Sequence, residues 1–399
     1  MPSRDPAAPR DLRWPGALAL ISEMRRNPGT TRAEAARRLG MSSGLASDVV
    51  GRLRALALID ETPAPPLGRG RPTRVLCPHP EGPVVLAFDI QQRGWRSAYA
   101  GLDGDLHALS SEPYSNTDPE RVLPRLRDAV QAARTGFGPR LRAVSASVAG
   151  TVQHGRVTES SALGWNAVDL AGMIGEPGLP VLVGNDATLA GLAEARTGAA
   201  RAAGVSLHLS VQVGIGGVLS VGGVPMTGAT GAGGEFGHLP FGDPALRCPC
   251  GARGCWDLEV DGRALARHLG EPVPRDPYDY GSAVLGRAAQ DPRAAAAAGR
   301  AAAALGRGVA GLVNANDPDI VTLGGLGWPL VTAAQRTFSD AYRQGLMRFR
   351  RTGPPPVVPA AYSEDGAPRG ALAAGLDVVL TEAGLDAWSA EKAGPVRLT

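Results

Sequence analysis

The first 60 residues carry hydrophobic positions at helical spacing, in three short runs. The first run ends at the turn Asn27–Gly29, and Thr31 with Glu34 forms the capping-box signature that opens a second helix. Gly40 suits the left-handed conformation that closes this helix. After a tight turn, a third helix is predicted from Ser43 to Ala55. Its inward-facing stripe is expected to be Leu45, Val49, Leu53 and Leu56.

The segment 62–72 interrupts the helical pattern with prolines and glycines. It predicts a loop between two short strands, at about 58–61 and 73–77. Two closely spaced helices followed by such a wing are typical of a winged helix-turn-helix. In this motif the predicted second helix crosses the DNA backbone and the third enters the major groove.

From Val84 onward, buried strands alternate with helices, and hairpins are predicted at Asp103-Gly104 and His154-Gly155. Two similar runs of strand, glycine hairpin, strand and helix predict an α/β fold with two actin-like lobes, as in sugar kinases and ribonuclease H-like ATPases. The expected domains are a winged helix at 1–78, a first lobe at 79–200 with a C-terminal helix 368–385 returning to it, and a second lobe at 201–367.

The charge of the chain is divided unevenly. Residues 1–76 hold 13 arginines against seven acidic residues, a net of +6, whereas the remaining 323 hold 28 basic against 31 acidic residues. A basic end on a mildly acidic body fits contact with DNA phosphates, although a solvated basic face has the same composition. Without an apolar signal core or an 18-residue apolar run, we expect a cytoplasmic protein that does not enter a membrane.

The candidate DNA contacts lie on the third helix and in the wing. Hydroxyls can exchange hydrogen bonds with base edges, and arginines suit phosphates or, on an extended glycine-rich backbone, a narrow minor groove. Asp48 is unfavourable beside phosphate, and either accepts from a cytosine amino group or caps locally. The candidates are Ser43, Ser47, Arg52 and Arg54 on the helix, and Arg69 and Arg71 in the sequence GRGRP.

Three of the four cysteines fall within eight residues, which favours a metal site over disulfides. His238, Cys248, Cys250 and Cys255 are spaced as H-x9-C-x-C-x4-C, with Gly251 and Gly254 among them. Four nitrogen and sulfur ligands with no open position predict a structural zinc ion.

Together these segments resemble the ROK family of repressors, open reading frames and kinases. GRGRP after a winged helix resembles the repressor branch typified by NagC and XylR, and GATGAGGEFGH followed by CPCGARGCWD is similar to the zinc signature of the family. LGWNAVDL, VGNDATLAGLAEA and DPDIVTLGG match further family segments in order.

The resemblance implies a sugar site. Residues matching Asn185, Asp186, Glu235 and His238 hold sugar hydroxyls in the family, Asn166 is a further candidate, and the residue matching Asp186 is the general base of the kinases. Physically, carboxylates accept hydroxyl hydrogens well and a zinc-bound imidazole is rigidly aimed. The pair Asn185-Asp186 also fits a plain turn at the end of a strand.

The phosphate-binding loops depart from the family pattern. The kinases carry DIGGTK after their first strand, where this chain has DIQQRG at Asp89–Gly94, and GTGIGG becomes QVGIGG at Gln212–Gly217. Glycines let backbone N–H groups approach phosphate, which two glutamines obstruct. Gly324-Gly325, on the adenosine side, also fits a strand-end turn. Asp257 replaces the usual glutamate after the last cysteine, and Asp261 stands where serine is common.

These observations favour a DNA-binding regulator, a repressor, that answers to a sugar or sugar phosphate and has lost kinase activity. It is expected to bind an operator as a homodimer or higher oligomer. Two alternatives stay open: an active ROK sugar kinase with an accessory DNA-binding domain, and a DNA binder whose sugar site is vestigial or answers to another effector.

Overall fold

The structure is a computed structural model that describes residues 14–64 and 74–392. Its residues group into two compact units. Of the described residues, unit 1 contains those at 14–64, 74–147, 162–183 and 371–392, and unit 2 contains 148–161 and 184–370. The α/β prediction is confirmed. Among the described residues no helix is long and apolar enough to cross a membrane.

The N-terminal part of unit 1 has the order of a winged helix. It comprises α1 (Pro15–Arg26), α2 (Arg32–Arg38), α3 (Ser43–Ala55) and the antiparallel strands β1 (Ile59–Pro63) and β2 (Arg74–Pro78). The capping box is present, because Glu34 N–H donates to the Thr31 hydroxyl and Thr31 N–H donates to the Glu34 carboxylate. The predicted bounds of α3 are confirmed. Arg69 and Arg71 lie outside the described residues.

The predicted inner stripe of α3 is wrong at Leu45, whereas Leu53 is buried as predicted and Val49 and Leu56 are half-buried. The helix buries Ala46, Val50 and Leu53, whereas Leu45 is 51% exposed. Leu45/Val49 and Ala46/Val50 are both apolar pairs four residues apart, so spacing alone does not separate them. Packing selects the pair with the small Ala46, which is fully buried.

The central sheet of unit 1 has five strands in the order β10-β6-β3-β4-β5. The hairpin predicted at Asp103-Gly104 is confirmed, since β4 and β5 pair antiparallel. The strands are β3 (Val84–Gln91), β4 (Gly94–Ala100), β5 (His107–Pro113), β6 (Leu141–Val148) and β10 (Val181–Asn185), with β9 (Trp165–Val168) and the helices α4 (Pro119–Phe137) and α5 (Leu170–Ile174) beside them along the chain.

Unit 2 is built on a second sheet, in the order β13-β12-β11-β14-β15, and on the β7–β8 hairpin. The Ala-rich stretch forms one long helix whose alanines pack into the core. The strands are β7 (Thr151–Gln153), β8 (Arg156–Ser160), β11 (Val205–Gln212), β12 (Gly214–Val221), β13 (Val224–Pro225), β14 (Ile320–Gly325) and β15 (Val357–Pro359). The helices are α6 (Asp186–Arg196), α7 (Gly262–Leu269), α8 (Pro277–Arg287), α9 (Pro292–Asn316), α10 (Gly327–Ala333) and α11 (Gln335–Gly345).

The units do not follow the predicted domain boundaries. The β7–β8 hairpin and α6, both expected in the first lobe, belong to unit 2. Helix α6 packs closely on the second sheet, because a Cβ on Gly191 would overlap Val218. The division into three functional parts stays a prediction.

The single closing helix expected at 368–385 is two helices, α12 (Gly366–Val379) and α13 (Glu382–Lys392). The break falls at Thr381, whose hydroxyl accepts the Gly384 N–H at 3.0 Å. Helix α13 holds the winged helix through two buried tryptophans: the Trp388 indole donates to the Leu56 carbonyl at the end of α3, and the Trp14 indole donates to Asp386, each at 2.8 Å.

Candidate effector and metal site

His238, Cys248, Cys250 and Cys255 converge in unit 2. One ligand atom from each lies within 4.8 Å of all the others, so the four side chains could hold a metal ion. Sγ of Cys248 is 3.8 Å from Nδ1 of His238, and Sγ of Cys250 is 3.7 Å from Sγ of Cys255. This donor set of one imidazole and three thiols fits a closed tetrahedral site.

The backbone around the cysteines is shaped for close convergence. Gly251 and Gly254 have φ angles of +94° and +70°, which residues with a Cβ rarely adopt. Cys248 N–H donates to the Ala252 carbonyl, which closes the turn. Next to the last cysteine, the buried Trp256 indole donates to the Ala304 carbonyl of α9 at 3.0 Å. The segment that carries the three cysteines, Cys248–Cys255, which we call the knuckle, is thereby fixed to the core of unit 2.

The imidazole of His238 has two differently placed nitrogens. Nδ1 lies on the thiol side, also 3.6 Å from the Asp257 carboxylate, whereas Nε2 lies 4.0 Å from Oε2 of Glu235. His238 and Glu235 are each 39% exposed at the side chain. A metal on Nδ1 would therefore fix the ring and leave Nε2 directed toward Glu235.

A chain of hydrogen bonds connects Glu235 with the start of α6. The Thr151 hydroxyl donates to Oε1 of Glu235 at 3.1 Å, and the carbonyl of the preceding Gly150 accepts from Nδ2 of Asn185 at 3.1 Å. Oδ1 of Asn185 also caps α6, by accepting the Thr188 N–H at 2.9 Å. Unit 2 thus connects Asn185 with Glu235 through Gly150 and Thr151, with His238 beside Glu235 and Asp186 next to Asn185 along the chain. We call Asn185, Asp186, Glu235, His238 and Thr151 the effector cluster.

Within this cluster, the side chains differ in what they can still bind. Both polar atoms of Asn185 are engaged by the protein, which makes it a positioning residue and agrees with the plain strand-end turn. Asp186 is half-buried at the first position of α6, where Oδ1 accepts the Ala187 N–H. Asn166 is exposed on β9 in the other unit, and its predicted role stays a prediction.

The first loop that departs from the family's phosphate-binding pattern lies in unit 1, at the end of β3. Asp89 is 1% exposed, and Oδ2 accepts from Nε of Arg96 at 2.9 Å and from Gln91 at 3.0 Å. Oδ1 accepts from the Ser147 hydroxyl at 3.1 Å. Burial raises the pKa of the Asp89 carboxyl, against the opposing effect of Arg96. This carboxylate is enclosed by side chains of the protein itself.

The second departing loop, Gln212–Gly217 in unit 2, also has a backbone group bound by a side chain of the protein itself. The Ile215 N–H donates to Oδ1 of Asp257 at 2.7 Å, in a buried hydrogen bond. Gly217 is needed for packing, because a Cβ there would overlap the His208 carbonyl. A Cβ on Gly325 would likewise overlap the Val211 carbonyl, in agreement with a strand-end turn.

The DNA candidates on α3 are placed on the outer part of the helix, but several are already engaged. The Ser47 hydroxyl donates to the Ser43 carbonyl at 2.9 Å. The Arg52 guanidinium stacks on Trp14, 4.1 Å from the ring centroid. Arg54 pairs with Asp60 at 3.0 Å and lies 3.8 Å from Glu61. Ser43 is exposed.

Three contributions were missed from the sequence. Thr151 carries no motif of its own and becomes visible only through its contact with Glu235. From the sequence, Asp257 was only a replacement for the usual glutamate, whereas in the structure it holds the loop at Ile215. For Arg96 a signal existed: a two-residue turn at 92–93 places it directly opposite Asp89 in the β3–β4 register.

Comparison with known proteins supports these assignments of fold. The sequence profile of the ROK family matches residues 95–377. Kanosamine kinase from Amycolatopsis mediterranei is 34% identical over 264 residues, 64% of this chain and 83% of the enzyme. Xylose repressor from Bacillus subtilis is 23% identical over 257 residues, 63% of this chain and 66% of the repressor. The alignment with glucokinase from Streptomyces coelicolor, at 30% identity, spans 46% of this chain and only 58% of that enzyme.

Two solved structures share the fold. A ROK family transcriptional regulator, described as a homologue of the E. coli MLC protein, superposes with a TM-score of 0.75 at 21% identity and covers 94% of this chain and 98% of its own. ROK hexokinase from Thermus thermophilus gives a TM-score of 0.60 at 29% identity and covers 74% of this chain and 99% of its own. The predicted fold, a sugar-kinase-like domain behind an N-terminal helical region, is therefore confirmed.

Proposed function

The chain belongs to the ROK family, and from this membership we propose that it is a DNA-binding transcriptional regulator, a repressor, whose kinase-like domain binds a sugar or sugar phosphate without transferring phosphate. Both kinases and repressors are among its relatives. The choice between them depends on the residues at the phosphate loops and on the N-terminal winged helix.

The observation that carries the proposal is the enclosed carboxylate at the end of β3. Arg96, Gln91 and Ser147 together occupy both oxygens of Asp89. A phosphate or a magnesium ion at this position would have to displace a buried, hydrogen-bonded ion pair, which is unfavourable. Phosphoryl transfer depends on positioning the phosphates and stabilising their charge. A loop that is closed by its own side chains offers neither contribution.

The effector cluster supports carbohydrate binding. Asp186 and Glu235 are partly accessible carboxylates, and carboxylates accept strongly from hydroxyls. Nε2 of His238 adds a ring nitrogen whose direction is fixed from the other side. We propose that zinc is the metal at the cysteines, because thiolate and imidazole ligands favour it over magnesium or calcium. Its role is structural: it fixes His238 and the knuckle.

A link between sugar and DNA follows from the path of the chain. The chain leaves unit 2 after Gly370, within α12, and α13 then holds the winged helix through Trp388 and Trp14. A sugar that binds one arrangement of the protein more tightly than another shifts the population between them. In a homodimer, such a shift changes the spacing of the two recognition helices relative to the half-sites.

An active sugar kinase is the second candidate, favoured by the 34% identity to kanosamine kinase and by the partly accessible Asp186. A panel of hexoses and amino sugars incubated with ATP and magnesium tests it directly. The regulator proposal expects no sugar-dependent phosphate transfer above background. Turnover at the ordinary enzyme scale of about 1 per second or more would overturn it.

The regulatory activity is tested by operator binding with and without sugars. We expect full-length protein to select a DNA site from a random pool, and one sugar to change its affinity at least tenfold. The same sugar should raise the melting temperature of the wild type but not of Glu235→Ala. If no sugar stabilises the wild type, the effector cluster is vestigial or has another ligand.

A further inference from the structure

Leu45 is a large apolar side chain in the first turn of α3 that the fold of the protein does not use. It is 51% exposed, while Ala46, Val50 and Leu53 fill the buried side of the helix. An apolar side chain gains free energy only when it leaves water, so this leucine contributes little to stability in the isolated protein. Its neighbour Gly44 carries no side chain that would shield it.

The polar side chains around Leu45 leave few groups free to recognise bases. Ser47 donates to a backbone carbonyl, Arg52 stacks on Trp14, and Arg54 pairs with Asp60. Asp48 lies three residues after Leu45, on the same side of the helix, and is exposed. A carboxylate is unfavourable beside a phosphate but can accept from a cytosine amino group, so this side of α3 is better suited to base edges than to the DNA backbone.

We propose that Leu45 is a specificity-determining residue that packs against the C5-methyl group of a thymine in the major groove. The inference rests on the proposed DNA-binding function. Residues at the N-terminal end of a recognition helix contact base edges, and Leu45 lies in the first turn of α3, where its N–H donates to the hydroxyl of the N-cap residue Ser42. The thymine methyl is the apolar group that the major groove presents, and it distinguishes thymine from the other bases.

The test uses full-length protein and the DNA site that it selects from a random pool. Each thymine of that site is replaced in turn by deoxyuridine, which removes only the methyl group, and dissociation constants are measured by fluorescence anisotropy. At one thymine per half-site, we expect the replacement to weaken wild-type binding about fourfold, corresponding to about 0.8 kcal/mol for one buried methyl. Leu45→Ala should bind the intact site more weakly and lose sensitivity to this replacement.

Controls separate the possible failures. Leu109→Ala removes a similarly exposed leucine, 45% exposed on β5, and should bind like the wild type. Leu45→Met keeps an apolar side chain and should retain sensitivity to deoxyuridine, which guards against a folding defect in the alanine variant. Equal sensitivity of the wild type and Leu45→Ala at every thymine overturns the role of Leu45 while DNA binding stands. If no DNA is selected at all, the proposed function fails and the inference fails with it.

Discussion

Asp89 lies within β3 and Asp186 directly follows β10, two strands of the central sheet of unit 1, and the protein treats their carboxylates differently. Asp89 is 1% exposed and is bound by Arg96, Gln91 and Ser147. Asp186 is partly accessible at the start of α6, beside an asparagine that holds its loop. The carboxylate of Asp89 is engaged by side chains of the protein itself, whereas an accessible carboxylate remains available to a ligand.

Under the proposed function, a kinase-like fold has lost its phosphate chemistry and kept its sugar site. At β3, glutamines stand where the kinases have glycines, and Asp89 pairs with Arg96 across the β3–β4 hairpin. Only a few side chains need to differ for this change. The effector cluster depends instead on contacts that run from Asn185 through Gly150 and Thr151 to Glu235, with His238 beside the cysteines.

Removing the proposed zinc ion is expected to give the largest effect, because it should disturb the effector cluster around Asp186 and leave the surroundings of Asp89 unchanged. Structural zinc contributes on the order of 10 kcal/mol in small zinc-binding peptides, so stripping it should release the knuckle and His238. Chelation, or Cys255→Ser, should abolish the sugar-induced shift in melting temperature and raise hydrogen exchange over 236–259, without changing exchange in β3. Cys77→Ser, on β2, is the matched control. A sugar response that survives complete zinc removal would contradict the role of His238.

Substituting alanine for each aspartate should affect different properties: the stability of the fold at Asp89 and the affinity for sugar at Asp186. Asp89→Ala leaves Arg96 without its partner and should destabilise the fold by about 2–3 kcal/mol, toward the low end for buried pairs because Arg96 reaches solvent. Asp186→Ala should cost about 0.5 kcal/mol, as for a first-turn carboxylate, but abolish sugar binding. Urea unfolding and titration calorimetry measure the two effects. Comparable losses of stability at both positions would remove the distinction.

Much of the local structure was predictable because its signals lie within a few residues. The capping box of α2, the bounds of α3 and the convergence of His238 with three cysteines follow from capping chemistry and ligand spacing. The exposure of Leu45 did not, because two apolar pairs of the same spacing compete for the core and tertiary packing decides between them. The Thr151–Glu235 contact joins residues 84 positions apart, which no local pattern reveals.

Acidification to pH 5 should lower the stability of unit 2, which contains His208, by about 2 kcal/mol more than that of unit 1. Burial lowers the pKa of His208, on β11 beneath α6, to about 4. Below its unfolded value of about 6.5 the unfolded chain takes up a proton that the native state refuses, so stability falls as the pH drops from 6.5 toward 4, by about 2 kcal/mol at pH 5. The raised pKa of Asp89 acts in the opposite direction, because the native state then binds the proton more readily.

Hydrogen exchange of β11 and β3 at pH 7 and pH 5, corrected for intrinsic rates, measures this difference. The variant His208→Gln retains the metal ligands and lacks the titrating ring, so it should lose most of the acid sensitivity of β11. An unchanged pH dependence in this variant would assign the sensitivity to another group.

The smallest expected effect concerns the orientation of Glu235. Thr151→Val removes the hydroxyl that donates to Oε1 of Glu235 and keeps the shape of the side chain. Since Glu235 is 39% exposed, the lost hydrogen bond is expected to be worth about 1 kcal/mol, a roughly fivefold weaker sugar affinity. Thr158→Val is the matched control, because its hydroxyl donates to the Thr151 carbonyl and does not reach the carboxylate. Calorimetric titration of both variants should therefore separate them by that factor while their unfolding midpoints stay close. Equal sugar affinities in the two variants would mean that Glu235 is oriented by the metal-side contact through His238 alone.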